Sequence, residues 1–179
     1  MLLLGACGGG GDGSSLTMDD LRKGGDTCPV DLGGAAVAAG LTTDEGEVAV
    51  EVTEGSGDGG LDDAAIDQVG GVYVECTLTG DDGDVSAVLF ASERAQAIGL
   101  VLPMLQRDLE LASADLGAVV ERFDDSDAGE PFDLGADDPV AAAARLDVDG
   151  AESAVLYVSA PQASPQQVQD LTDGLLDAL

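Results

Sequence analysis

Val72-Tyr73-Val74-Glu75-Cys76-Thr77-Leu78-Thr79 alternates without a break. Side chains of an extended strand point to opposite faces in turn. Val72, Val74, Cys76 and Leu78 therefore share one face, and Tyr73, Glu75, Thr77 and Thr79 share the other. The first face is apolar and the second mixed, which predicts a strand with one side against a core. Asp82-Gly83 follows as a hairpin turn signal, and Val85 to Ala91 answers it as the returning strand. Its apolar residues fall on both sides, Val88 and Phe90 on one and Val85, Ala87 and Leu89 on the other. Burial on both faces is expected there. Strands joined by a tight turn run antiparallel, so this hairpin sets the type of the sheet.

Upstream, Glu47 to Glu54 alternates as well, with Val48, Val50 and Val52 on one face. Asp31 to Ala39 reads as a small helix. Gly40 stands where a left-handed residue closes a helix, and Leu41 supplies the apolar contact of a Schellman end. Leu61 to Val69 reads as a short helix stopped by Gly70-Gly71. Downstream, Ser92 is expected to cap a helix reaching about Ala112, with Ile98, Leu102, Leu105, Leu109 and Ala112 as its apolar stripe. Pro103 lies inside it, so a kink, or two helices joined near Leu102, is expected. Val101 and Met104 are then expected to line a small apolar pocket beside the kink.

Gly117 to Phe123 reads as a strand, and Asp124 to Gly129 as a loop. Residues 139–146 are ambiguous. Asp138 as N-cap with Pro139 at the first helical position favours a helix, whereas Asp149-Gly150 ahead of the strand Ser153 to Ala160 favours a strand through Leu146; the reading leans to the strand. Ser164-Pro165-Gln166-Gln167 is a capping box with proline at the first position, and Val168, Leu171, Leu175 and Leu179 form the stripe of a last helix. This order predicts an α+β fold, a mostly antiparallel sheet with helices packed on one face.

The 179 residues carry 26 Asp and 10 Glu against five Arg and one Lys, a net charge of −30. So negative a surface repels phosphate backbones, which excludes nucleic-acid binding through a basic patch. With no His in the chain, every imidazole base, Ser–His triad and zinc–histidine site is excluded. No Gly-x-Ser-x-Gly elbow, phosphate loop or Ser-x-x-Lys motif is present. An enzyme is not expected, and neither a cofactor nor a catalytic residue is assigned.

Leu4-Gly5-Ala6-Cys7 resembles the lipobox of bacterial lipoproteins, in which Leu and two small residues precede the Cys that receives diacylglycerol. It sits behind an apolar run and ahead of a Gly, Ser and Asp stretch. The resemblance implies cleavage before Cys7 and a lipidated Cys7 at the mature N-terminus. A signal peptide also has a basic start and about 7–15 apolar residues. Met1 to Leu4 is shorter and carries no basic residue, so the natural start is expected upstream. The expected organisation is then a signal-peptide remnant over residues 1–6, lipidated Cys7 with a flexible tether to residue 26, and one domain over 27–179. Leu16 to Leu21 reads equally as part of that tether or as a helical turn docked on the domain. With its lipobox, its tether and two further cysteines, the chain looks like the small lipoproteins of high-GC bacteria.

In such an exported chain Cys28 and Cys76 are the cysteines left once Cys7 is acylated. A remaining pair in that compartment points to a disulfide; two buried free thiols are the other reading. Three acidic runs, Asp81 to Asp84, Asp124 to Asp127 and Asp147 to Gly150, offer oxygen ligands of the kind calcium takes. None has the EF-hand spacing, and no metal ligand is assigned. Two functions follow as expectations. The first is a monomeric binding module, anchored in the cell membrane through its lipid, facing out of the cytoplasm towards an unknown ligand or envelope protein. The second is a calcium-dependent structural or adhesion protein.

Overall fold

A computed structural model describes residues 16–60, 62, 64–80, 83–94, 97–136 and 139–179. Cys7, with its lipobox, and the Asp81, Asp82 and Asp138 positions lie outside the described residues. Among the described residues five strands form one antiparallel sheet: β1 (Val48–Gly55), β2 (Gly71–Gly80), β3 (Gly83–Ser92), β4 (Ala141–Leu146) and β5 (Ser153–Ser159), in the order β1-β2-β3-β5-β4. The β2–β3 hairpin pairs Gly80 with Gly83 and Cys76 with Ala87, and β5 joins β3 with Tyr157 opposite Val88. The ambiguous stretch is thus the strand β4, paired to β5 from Ala141 to Leu146. The fold is α+β with an antiparallel sheet, as the hairpin requires.

Among the described residues six helices cover this sheet: α1 (Met18–Lys23), α2 (Leu32–Ala38), α3 (Ala65–Val69), α4 (Ala97–Asp108), α5 (Leu116–Asp125) and α6 (Pro165–Leu176). They lie on both faces, which corrects the expectation of one. Val74, Cys76, Ala87, Leu89, Leu156 and Val158 pack with Met18 and Leu21 of α1, Leu32 and Ala36 of α2, and Leu171 and Leu175 of α6. Val88, Phe90, Val155 and Tyr157 pack instead with Ile98, Val101 and Leu105 of α4 and Val119 and Phe123 of α5. The physical reason was visible in β3, which is apolar on both sides and needs a cover on each. Transferring so many Leu, Val and Phe side chains out of water stabilises the fold by roughly 1.5–3 kcal/mol apiece before entropy is counted.

Local signals explain most helix ends. Asp31 caps α2 by accepting from Gly34 N–H at 3.0 Å. The helix closes as a Schellman motif, with Leu41 N–H on Ala36 C=O at 2.9 Å and Gly40 at φ 70°. Ser164 and Gln167 form the capping box of α6, with Pro165 at its start. α3 is shorter than its apolar pattern predicts and begins at Ala65.

Leu16 to Leu21 takes the second of its two readings, a helix docked on the domain: Thr17 and Asp20 build a capping box on α1, and Met18 and Leu21 are buried. Met18 N–H donates to Asp149 C=O at 3.0 Å and Asp149 N–H to Leu16 C=O at 2.9 Å, clipping this segment to the β4–β5 connection. Ser92 does not cap a helix. It ends β3, donating to Gly70 C=O and accepting from Arg94 N–H, both at 3.1 Å. Residues 117–123 are helical: Val119 and Phe123 stand four apart and both reach the core, and a strand with that pair inward would turn the charged Glu121 between them into the core as well. Finally, α4 runs through Pro103 as one helix and stops at Asp108, ahead of Glu110 at φ 51°. No described helix is long and apolar enough to cross a membrane.

Candidate functional site

The disulfide joins Cys28, in the segment leading into α2, to Cys76 in the middle of β2, with Cα atoms 5.8 Å apart. Cys76 is fully buried on the face that α2 covers. Alternation put Cys76 on that inward face, and the bridge ties the first helices to the sheet.

At the N-terminal end of α4 a cleft of about 420 Å³ opens between α4, α5 and the ends of β4 and β5. Ile98, Val120 and Phe123 form its apolar wall, and Gly99 leaves backbone bare beside it. Nothing stands within 4 Å of where a Cβ on Gly99 would sit. Asp124, Arg145, Glu152 and Ser153 supply the polar groups. Ser153 Oγ accepts from Ala97 N–H at 3.3 Å, which fixes the first turn of α4 on β5. Arg145 Nη1 donates to the carbonyls of Asp124 and Ser126, both at 3.4 Å. Val101, expected at a pocket beside Pro103, is fully buried against the sheet; the cleft lies a turn earlier.

At the other end of α4, Asp108 is pinned to β5. Its carboxylate accepts from the Tyr157 hydroxyl and from Ser159 Oγ at 3.0 Å, and it pairs with Arg107 Nε at 2.6 Å. The Asp108 side chain is only 10% exposed, and an anion at a helix C-terminus faces the negative end of the dipole. Burial works against the charge, yet the hydrogen bonds from Arg107, Tyr157 and Ser159 outweigh it and hold the pKa below the usual carboxylate value. Burial, then the bond to Asp108, pushes the Tyr157 phenol well above its ordinary range. Tyr73 is raised in the same way by burial and by its 2.9 Å bond to Glu75. A carboxylate with both oxygens engaged in this way is a tie between helix and sheet.

The acidic runs behave differently from one another. Asp124 lines the cleft, while Asp127 and Asp147 line a neighbouring hollow of about 300 Å³ that shares Arg145, Glu152 and Ser153. Among the described residues no three His, Cys, Asp or Glu side chains come together as metal ligands. Sequence reasoning did not single out Arg145, Glu152 or Gly99. The available signal was the scarcity of cations: an arginine on the strand beside Asp149-Gly150 is one of only six Lys and Arg in the chain.

The class defined by this geometry is a small α+β domain, disulfide-pinned and helix-covered on both sheet faces, with a cleft sized for a small molecule. Compared with known proteins, the chain matches no family model, no curated protein and no solved structure.

Proposed function

We propose that this chain is a membrane-anchored extracytoplasmic lipoprotein, a non-catalytic binding module that holds its ligand in the cleft between α4 and α5. The observation behind this reading is the Cys28–Cys76 disulfide. Structural disulfides persist in oxidising compartments outside the cytosol. The bridge also consumes two of the three cysteines and leaves Cys7, within Leu4-Gly5-Ala6-Cys7, for the lipid. A diacylated or triacylated cysteine holds a protein on a membrane where a single acyl chain is marginal. The cleft supports binding: an apolar wall faces an arginine, two carboxylates and a serine whose Oγ accepts from Ala97 N–H.

Metabolic labelling with a clickable fatty acid, with the protein expressed from its own locus in the native host, tests the anchor. The label is expected on the wild type and absent from Cys7→Ala. Label that survives this substitution overturns the assignment. Mass spectrometry of small molecules co-purifying from the envelope tests the binding role.

A further inference from the structure

We propose that the α4–α5 cleft takes a zwitterionic small molecule, a free α-amino acid with an apolar side chain, whose carboxylate meets Arg145 and whose ammonium meets Glu152 and Asp124. This rests on the binding-module reading and narrows its ligand.

The cations carry the argument. In a chain with 36 acids and six Lys and Arg, each cation is expected to find a carboxylate. Arg22 reaches Glu93 and Glu54, Lys23 reaches Asp19, and Arg107 reaches Asp108. Arg94 and Arg122 also donate to backbone carbonyls, Arg94 to Gln68 and Gly57 at 2.9 Å each and Arg122 to Asp133 at 3.2 Å, but neither lines the cleft. Arg145 has two long bonds from one nitrogen, Nη1, and no described carboxylate within 4.0 Å. A guanidinium has five N–H donors. The Asp124 and Ser126 carbonyls therefore anchor one corner of the fork and leave the rest of it unspent in the wall of the cleft. An unspent fork is the geometry that receives a carboxylate through two bonds at once.

The opposite charges in the same cleft decide the class. Asp124 and Glu152 also line it, and neither makes an ion pair among the described residues. A plain anion would meet their repulsion and that of a net charge of −30. A plain cation would meet Arg145. A carboxylate and an ammonium on one neutral molecule satisfy both. The volume of about 420 Å³ lies near the small end for ligand sites, which fits a single small molecule. Ile98, Val120 and Phe123 offer it an apolar wall, where each charge–charge contact is stronger than in bulk water.

The test uses the full chain carrying Cys7→Ala, titrated with L-leucine and followed by calorimetry and by amide NMR shifts. L-Leucine should bind, with shifts centred on Gly99, Phe123 and Arg145. 4-Methylvalerate, which lacks the ammonium, and isoamylamine, which lacks the carboxylate, should each bind at least tenfold more weakly. Arg145→Gln should weaken leucine at least tenfold, and Arg145→Lys should not restore it, because an ammonium cannot reproduce the fork. Gly99→Leu fills open space in the cleft and should abolish binding while the melting temperature holds or rises, since leucine is the better helix former. If 4-methylvalerate binds as tightly as leucine, or Arg145→Gln leaves affinity unchanged, the proposal falls. It falls equally if none of the twenty amino acids moves the cleft resonances. A co-purified cleft ligand lacking either charge would overturn the zwitterion and leave the binding-module reading standing.

Discussion

Replacing Cys28 and Cys76 together by alanine removes one covalent link and tests what holds α2 on the sheet. The bridge closes a loop across a sequence separation of 48. In the chain-entropy account a closed loop of that length restricts the unfolded chain by roughly 14 cal/mol/K, or about 4 kcal/mol at 25 °C. Domains of this size are stable by about 5–15 kcal/mol in all, so the loss is a large fraction of the total. With a urea slope of about 2 kcal/mol/M, the midpoint should fall by about 2 M. The slope itself should rise, because the unlinked chain unfolds to a more expanded ensemble with more surface in water. Equilibrium urea unfolding of the oxidised wild type and the double variant, followed by far-UV circular dichroism, measures both quantities. A midpoint shift below about 0.5 M with an unchanged slope refutes the reasoning: the link would then not be constraining the unfolded state.

Three further outcomes are expected. Gly174→Ala should stabilise the domain by about 1 kcal/mol, since Gly174 lies inside α6 and its new Cβ would rest 3.6 Å from the Ala35 Cβ; thermal unfolding reads this directly. Asp108→Asn should cost about 1–3 kcal/mol at pH 7 by weakening buried hydrogen bonds. Asp108 has a lowered pKa in the fold, so its contribution is complete above the unfolded Asp value of about 3.9 and is lost as pH falls through the folded value. The urea midpoints of wild type and Asp108→Asn should therefore keep their separation from pH 7 down to about 4 and converge as pH falls further, and a gap that stays constant below that point contradicts the assignment. Melting temperature should climb smoothly from 0.01 M to 1 M sodium chloride, as the screening length contracts from about 30 Å to about 3 Å around a net charge of −30. Calcium at constant ionic strength should add nothing, and a saturable rise at micromolar calcium would redirect attention to Asp124, Asp125 and Asp127.

What the sequence determined by itself was whatever a few neighbouring residues can enforce. The alternation in Val72 to Thr79 and the turn after it specify β2 and β3, because side-chain period and turn chemistry act over three or four residues. Ser164-Pro165-Gln166-Gln167 and Gly40-Leu41 mark helix ends for the same reason: their hydrogen bonds are local. Cys76 was legible as inward-facing from its own strand. The tertiary structure alone decided which faces are covered and which distant residues meet. Whether Leu16 to Leu21 is tether or helix depends on the space beneath α1 and on the backbone of Asp149, far along the chain. The helix at 116–125 owes its form to Val119 and Phe123 sharing a core with Phe90 and Tyr157. The cleft was hidden most completely. Gly99, Arg145 and Glu152 come from three separate segments, and their charge and open space become one site only when α4 and α5 have packed on their face of the sheet.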